Sequence, residues 1–184
     1  MEIKKTDFQD LTIIKPQVFK DSRGYFFESY NKNKLIESIG NIEFVQDNQS
    51  KSTKGTIRGL HYQLAPFAQA KLIRVLIGEI YDVVVDLRKH SPTYGKHFGI
   101  ELTEDNNTQL YIPKGFAHGF SVMSETAIVS YKTDSFYHHE SERGINFSDP
   151  ILNIDWKVDT NTSIISPKDK VLPSFKEAEK NFNF

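Results

Sequence analysis

The stretch KLIRVLIGEIYDVVVDLRK, residues 71–89, decides the fold. It is crowded with Leu, Ile and Val, and β-branched side chains favour an extended pleat over a helix. Gly78-Glu79 interrupts the run and reads as a turn or bulge between two strands. In the second half, Tyr81, Val83, Val85 and Leu87 share one face, by the two-residue period of a strand. Ile80, Asp82, Val84 and Asp86 share the other. A face that mixes apolar side chains with carboxylates has two readings: an interior that is polar in places, or an outer face against solvent.

Outward from that stretch the β pattern continues. Strands are expected at Phe98–Leu102, Gln109–Ile112, Gly119–Val122, Ala127–Tyr131 and Gly144–Phe147, divided by SPTYG, TEDNN, PKG, MSE and a polar stretch. Many short strands with frequent turn signals predict an all-β sandwich or closed barrel. Helices are peripheral: Asn31–Ile39 has Asn at its start and Gly40 just beyond its end, and the tail from Pro173 through KEAEKNF forms a second. No repeat and no low-complexity linker divides the chain, so residues 1–184 are expected to form one domain.

The 23 Lys and Arg nearly balance 24 Asp and Glu over 184 residues, which leaves no global basic footprint for nucleic acid. The absence of cysteine excludes disulfides, thiolate metal sites and a cysteine nucleophile. MEIKKTDFQD has no apolar signal core, and no run approaches ~18 consecutive apolar residues. A soluble cytoplasmic protein with no membrane partner is the expectation. The Asn-x-Ser/Thr matches at Asn48, Asn106 and Asn161 are read as incidental.

Two segments carry titratable groups inside strand-like surroundings. RGLHYQ (58–63) places His61 in a candidate strand, and PKGFAHGF (113–120) contains Pro-x-Gly-x-x-His, which resembles the second signature of the cupin barrel. The plain alternative for the latter is a hairpin with a hydrogen-bonded His118. Many cupins bind a metal through His-x-His, but here the corresponding stretch is His61-Tyr62-Gln63, and no other His-x-His occurs. His138-His139 would point to opposite faces of a strand. A metal held by His61, His118 and carboxylates is therefore the lesser reading. An imidazole that moves a proton, oriented by a carboxylate, fits better. One point resists strict alternation: Arg58 falls with Leu60 and Tyr62, but His61 with Gly59 and Gln63. Either Gly59 marks a bulge that re-aims one of them, or Arg58 serves a second wall at a subunit boundary.

Taken in order, FKDSRGYFFESYN (19–31), FVQDNQSKS (44–52), RGLHYQ, AQAKLIRV (68–75), GEIYDVVVDLRKHSPTYG (78–95), YIPKGFAHGF (111–120) and SPKD (166–169) resemble the dTDP-4-dehydrorhamnose 3,5-epimerases, from about Pro16 to Pro173. The resemblance implies a metal-independent, cofactor-free cupin-type β-barrel (jelly roll) with short peripheral helices. The implied reaction takes dTDP-4-dehydro-6-deoxy-D-glucose to dTDP-4-dehydro-L-rhamnose in dTDP-L-rhamnose synthesis. A ketone at C4 acidifies C3 and C5, and inversion needs a base, an acid on the opposite face and a group that stabilises the enolate.

By the same resemblance His61 is the base, Asp169 its orienting partner, Tyr131 the acid and Lys71 the neighbour of the C4 oxygen. Arg23 and Arg58 would face the diphosphate, as a guanidinium fork suits, and Phe26 and Tyr137 the thymine ring. Glu28, Gln46, Asn48, His118, Glu142 and Lys168 fall on positions that contact the nucleotide sugar. A homodimer is implied, with an N-terminal segment reaching the neighbouring barrel. Each residue has a plainer role open to it: Asp169 as a turn cap, Lys71 as a surface lysine, Tyr131 as a barrel-wall aromatic, Arg23 as a turn decoration. Rival functions are a single-centre epimerase or keto-isomerase of another dTDP-deoxysugar pathway, a non-catalytic nucleotide-sugar-binding cupin, and a metal-dependent oxygenase.

Overall fold

The computed structural model describes residues 1–184. The chain opens with β1 (Glu2–Lys5), β2 (Thr12–Lys15), β3 (Phe19–Asp21) and β4 (Gly24–Phe26), then a helix, α1 (Lys32–Ile39). The central strands follow: β5 (Gln46–Thr53), β6 (Thr56–Gln63), β7 (Lys71–Ile77), β8 (Glu79–Asp86) and β9 (His97–Thr103). Next come β10 (Gln109–Ile112), β11 (Phe116–Val122), β12 (Thr126–Thr133), β13 (Glu142–Gly144) and β14 (Ile164–Ile165), and then a single helical turn, α2 (Pro167–Lys170).

One sheet has the order β1-β2-β10-β7-β12-β5 and the other β13-β6-β11-β8-β9, with β14 added to β6. All these pairings are antiparallel except β14–β6. The two sheets face each other in the jelly roll expected of a cupin. β3 and β4 form a hairpin apart from both.

The opening stretch supplies one strand to each sheet, β7 and β8, and Gly78 is the corner between them. Gly78 has φ +81°, and a Cβ there would meet Thr126 O at 2.0 Å, so only glycine fits the turn. Both faces of β8 are buried. Ile80 and Val84 join the cluster between the sheets with Ile73, Leu110, Phe120 and Val129. Val83, Val85 and Leu87 join a cluster on the outer side, where the C-terminal residues Trp156, Ala178 and Phe182 cover the sheet. Each such fully buried aliphatic side chain contributes about 1.5–3 kcal/mol. Asp82 and Asp86 are 0% exposed. Their face is the interior, and the reading of it as a solvated outer face is corrected.

α1 forms as its flanks predict: Asn31 accepts from the Lys34 N–H, Gly40 closes the end, and Leu35 packs on Ile14, Ala70, Leu72 and Tyr111. The expected helix from Pro173 does not form. That segment makes one turn at Ser174–Ala178 and otherwise lies along the barrel, tied by Tyr62 Oη to Glu179 O (2.6 Å) and Lys89 N–H to Phe182 O (2.9 Å). Burial of Ala178 and Phe182 against the sheet outweighs the local helix propensity of KEAEK. The expected strand at 144–147 lies two residues earlier, and His138-His139 are not in a strand: His138 precedes a 3₁₀ turn, His139–Ser141. The PKG turn is not a hairpin, because it carries the chain from β10 in one sheet to β11 in the other. No helix is long and apolar enough to cross a membrane.

Candidate active site

The site is built from residues on facing sheets. β6 brings His61 and β13 brings Glu142 from one sheet; β5 brings Gln46 and Asn48, β7 Lys71 and β12 Tyr131 from the other. All six, with Tyr137, line a cavity of about 200 Å³. The register explains the grouping. Asn48 pairs with Tyr131, Gln46 with Thr133 and Lys71 with Thr133, so alternate residues of three neighbouring strands project from one face.

His61 and Arg58 reach the same region because β6 is bulged. His61 pairs with His118 and Arg58 with Phe120, so three steps along β6 match two along β11. Gly59 sits at that bulge with φ +113°, and a Cβ on it would lie 2.6 Å from His118 O and 2.7 Å from Gly119 Cα. The expected bulge is present, and it is what defeats strict alternation. On its other side His61 borders a second cavity of about 700 Å³, lined by Lys51, Arg58, Ser166, Lys168 and Asp169. Arg58 is anchored there by Nε to Ser52 Oγ, 2.9 Å.

His61 Nε2 is 2.7 Å from Asp169 Oδ1, and Asp169 Oδ2 accepts the Gly59 N–H at 3.2 Å. One carboxylate thus fixes both the imidazole and the bulge that presents it. With Nε2 held by the carboxylate, Nδ1 is the ring nitrogen left for a ligand. Asp169 does not cap its turn. Ser166 does, accepting the Asp169 N–H at 3.0 Å, and Pro167 starts the turn with its φ already fixed. Burial acts to raise the Asp169 carboxyl, but the hydrogen bonds from His61 and the Gly59 N–H outweigh it and hold the group below its ordinary value.

Burial lowers the Lys71 ammonium to about 8, with Asp82 and Glu142 acting to keep it charged. Its Nζ lies 5.9 Å from the Tyr131 ring centroid. Burial also raises the Tyr131 phenol above its ordinary 10; Arg58 opposes this and Glu142 adds to it, so the hydroxyl is neutral and a donor at neutral pH. Tyr137 Oη donates to Glu142 Oε2 (2.8 Å), which also accepts Lys168 Nζ. Those two partners outweigh burial and keep Glu142 ionised.

His118 lies across the strand pair from His61, and its Nε2 is 2.8 Å from Asp82 Oδ2. Burial lowers its pKa against the pull of Asp82. The sequence left Asp82 without a role, although its place on the β8 alternation was legible. No group of three or more His, Asp or Glu is arranged to hold a metal. Gln63 and Gln69 also line the smaller cavity and were not singled out.

Arg23, Phe26 and Glu28 lie outside both cavities. Arg23 pairs with Asp21 at 2.6 Å in the β3–β4 hairpin. Phe26 is 68% exposed beside exposed Phe19 and Tyr25. Glu28 binds Asn31 and Lys34 at the start of α1.

A family model described as dTDP-4-dehydrorhamnose 3,5-epimerase matches residues 5–177. A protein of that name from Shigella flexneri is 51% identical over 97% of this chain and 98% of its own length. The crystal structure of dTDP-4-dehydrorhamnose 3,5-epimerase from Elizabethkingia anophelis NUHP1 superposes with TM-score 0.93 at 52% identity, covering 96% of this chain and 97% of that one. A Legionella pneumophila 3,5-epimerase solved with dTDP-4-keto-L-rhamnose gives TM-score 0.91 at 45% identity, covering 96% and 93%.

Proposed function

The chain belongs to the dTDP-4-dehydrorhamnose 3,5-epimerase family, and from that premise we propose how its cavity inverts C3 and C5 of the sugar. The protein is an isomerase that takes dTDP-4-dehydro-6-deoxy-D-glucose to dTDP-4-dehydro-L-rhamnose in dTDP-L-rhamnose synthesis. The observation that carries the assignment of roles is the placement of His61 and Tyr131 on facing sheets of one cavity.

A 4-keto sugar bound between them presents one ring face to His61 and the other to Tyr131. His61 Nδ1 removes the proton beside the ketone, and Asp169 stabilises the imidazolium that forms. The electron pair moves onto the C4 oxygen, where the Lys71 ammonium stabilises the enolate. The Tyr131 hydroxyl then delivers a proton from the opposite face and is left as phenolate. His61 loses its proton to solvent, Tyr131 regains one, and the same sequence at the second carbon completes the change. No redox step and no bond to the enzyme is needed, so the reading includes no cofactor and no metal.

The smaller cavity suits the sugar ring and the larger one, with Arg58, Lys51 and Lys168, the diphosphate. Tyr137, 53% exposed at the side of the smaller cavity, is the face for the thymine, and Gln46, Asn48 and Glu142 position the sugar end. His118 lines neither cavity and serves from behind them through its bond to Asp82. Arg23, Phe26 and Glu28 belong to this reading only if they serve a second copy of the chain. The β3–β4 hairpin, with Phe19, Tyr25 and Phe26 exposed together, has the composition of such an interface. We therefore read a cytoplasmic homodimer whose hairpins complete each other's sites, acting on a small molecule and not on nucleic acid.

The test is proton NMR of dTDP-4-dehydro-6-deoxyglucose with the enzyme in deuterium oxide. Deuterium at both C3 and C5 with inverted configuration is the expected result. Label at one carbon would make this a single-centre enzyme, and binding without label would leave a non-catalytic module.

A further inference from the structure

Gln63 is 4% exposed, and its carboxamide is fully used by backbone groups. Nε2 donates to Phe67 O (2.6 Å) and Phe136 O (3.3 Å), and Oε1 accepts the His138 N–H (2.8 Å). Two more glutamines hold the same segment from other elements. Gln69 Nε2 donates to Ser135 O at 2.8 Å, and Gln46 Oε1 accepts the Tyr137 N–H at 3.0 Å. The segment Ser135–His138 has little apolar anchorage of its own, because Phe136 and Tyr137 are 67% and 53% exposed. The half-buried His138 ring stacks on the 38% exposed Phe67 at 3.8 Å between centroids, and Phe67 is the residue whose carbonyl Gln63 holds. Gln63 is two residues beyond His61 on the same strand, so one rigid element carries both the imidazole and the amide that holds this segment.

We infer that Gln63 is a positioning residue: its buried amide latches Ser135–His138 to β6 and thereby sets the Tyr137 ring at a fixed distance from His61. The inference rests on the reading of Tyr137 as the face for the nucleotide base. A latch of this kind acts on capture of the nucleotide end and not on proton transfer. Its loss therefore appears in KM and in affinity for the nucleotide alone, with kcat at saturating substrate nearly kept.

The experiment compares wild type with Gln63→Met, which keeps the volume and removes all three hydrogen bonds, with Tyr137→Ala and with the double variant. dTDP affinity is measured by calorimetry, and kcat and KM with the dTDP-sugar. Loss of base stacking predicts a dTDP affinity lowered about tenfold in both single variants, with KM raised in parallel and kcat within about threefold of wild type. The double variant is expected to bind dTDP no more weakly than Tyr137→Ala. If Tyr137→Ala binds dTDP normally, the nucleotide reading of Tyr137 falls, and the role of the latch with it. Weakened binding in Tyr137→Ala but not in Gln63→Met, or effects that multiply in the double variant, would overturn the latch alone. Should melting show that Gln63→Met does not fold, the same comparison is made with Gln69→Ala, which removes one of the two hydrogen bonds on Ser135 O and leaves that from Thr133 Oγ1. It must give the same pattern in weaker form, or the inference fails.

Discussion

His61 and Tyr131 stand on strands of opposite sheets, β6 and β12, and border one cavity of about 200 Å³. Two groups on one sheet would reach the same ring face and would return a proton to the side it left. Facing sheets separate removal from delivery, and this is the geometric condition for inversion.

Removal of the imidazole in His61→Ala is expected to lower exchange at both C3 and C5 by roughly 10²–10⁴, with the fold kept but the melting temperature lowered, because the buried Asp169 carboxylate loses its partner. Asp169→Asn should lower the rate through the same step, because the imidazolium loses its counter-charge. Near wild-type deuterium uptake in His61→Ala would remove it from the role of base.

Tyr131→Phe separates the two halves of the reaction. Uptake of solvent deuterium at the acidified carbons is expected to persist while the yield of inverted product falls. A variant that inverts at the normal rate would send the search for the acid elsewhere in the cavity.

The pH dependence follows from Lys71. Its depressed pKa of about 8 means the ammonium is present below that pH and lost as pH rises through it, so kcat/KM is expected to fall above about 8. Lys71→Arg keeps a charge at all accessible pH, so its profile should lack that limb at a reduced rate. An alkaline limb unchanged in Lys71→Arg would assign it to another group. Asp169 acts on stability at the other end of the scale. Its folded-state pKa is lowered, so its contribution is complete above the ordinary 3.8 and is lost as pH falls through the folded value.

Gly59→Ala should cost about 2 kcal/mol or more in urea denaturation, because a Cβ in a φ +113° conformation meets strand β11 backbone within 2.7 Å. Activity should fall further than stability, since the same bulge aims His61. Retention of both would mean that β6 accommodates a side chain there.

Mixing two impaired variants tests the proposed sharing of sites between copies. The Arg23→Ala and His61→Ala proteins are each expected to be impaired, and refolding them together should restore activity if the chain is a dimer in which Arg23 serves the other copy. No recovery in mixed dimers would place Arg23 in its own chain's site or outside the reaction.

Strands rich in apolar residues were legible from the sequence: β8, β10 and β12 alternate or run apolar and form where expected. The direction in which the Asp82 and Asp86 face of β8 points had two readings until the structure placed it inside. β5, QDNQSKST, was visible as a motif but not as a strand. Its inward face lines the polar cavity, so the apolar alternation that reports a strand is missing where the site is built. Periodicity also failed at Arg58 and His61, where the bulge shifts the phase, and only the glycine between them gave a signal. The tail carried a helical composition that packing overrode. His61, Lys71, Tyr131 and Asp169 lie more than a hundred residues apart at the extremes, and only the ordered family motifs, not spacing, brought them to one list.

The carboxylate that orients His61 comes from position 169, and the cover over the outer face of its sheet runs on through Phe182. On a ribosome, chains emerge from the N-terminus at roughly 5–20 residues per second, so base, acid and lysine are all synthesised before their organiser. A nascent barrel therefore holds the parts of a catalyst without the charge that aligns them. Competence arrives only after position 169 has been made and has packed against β6.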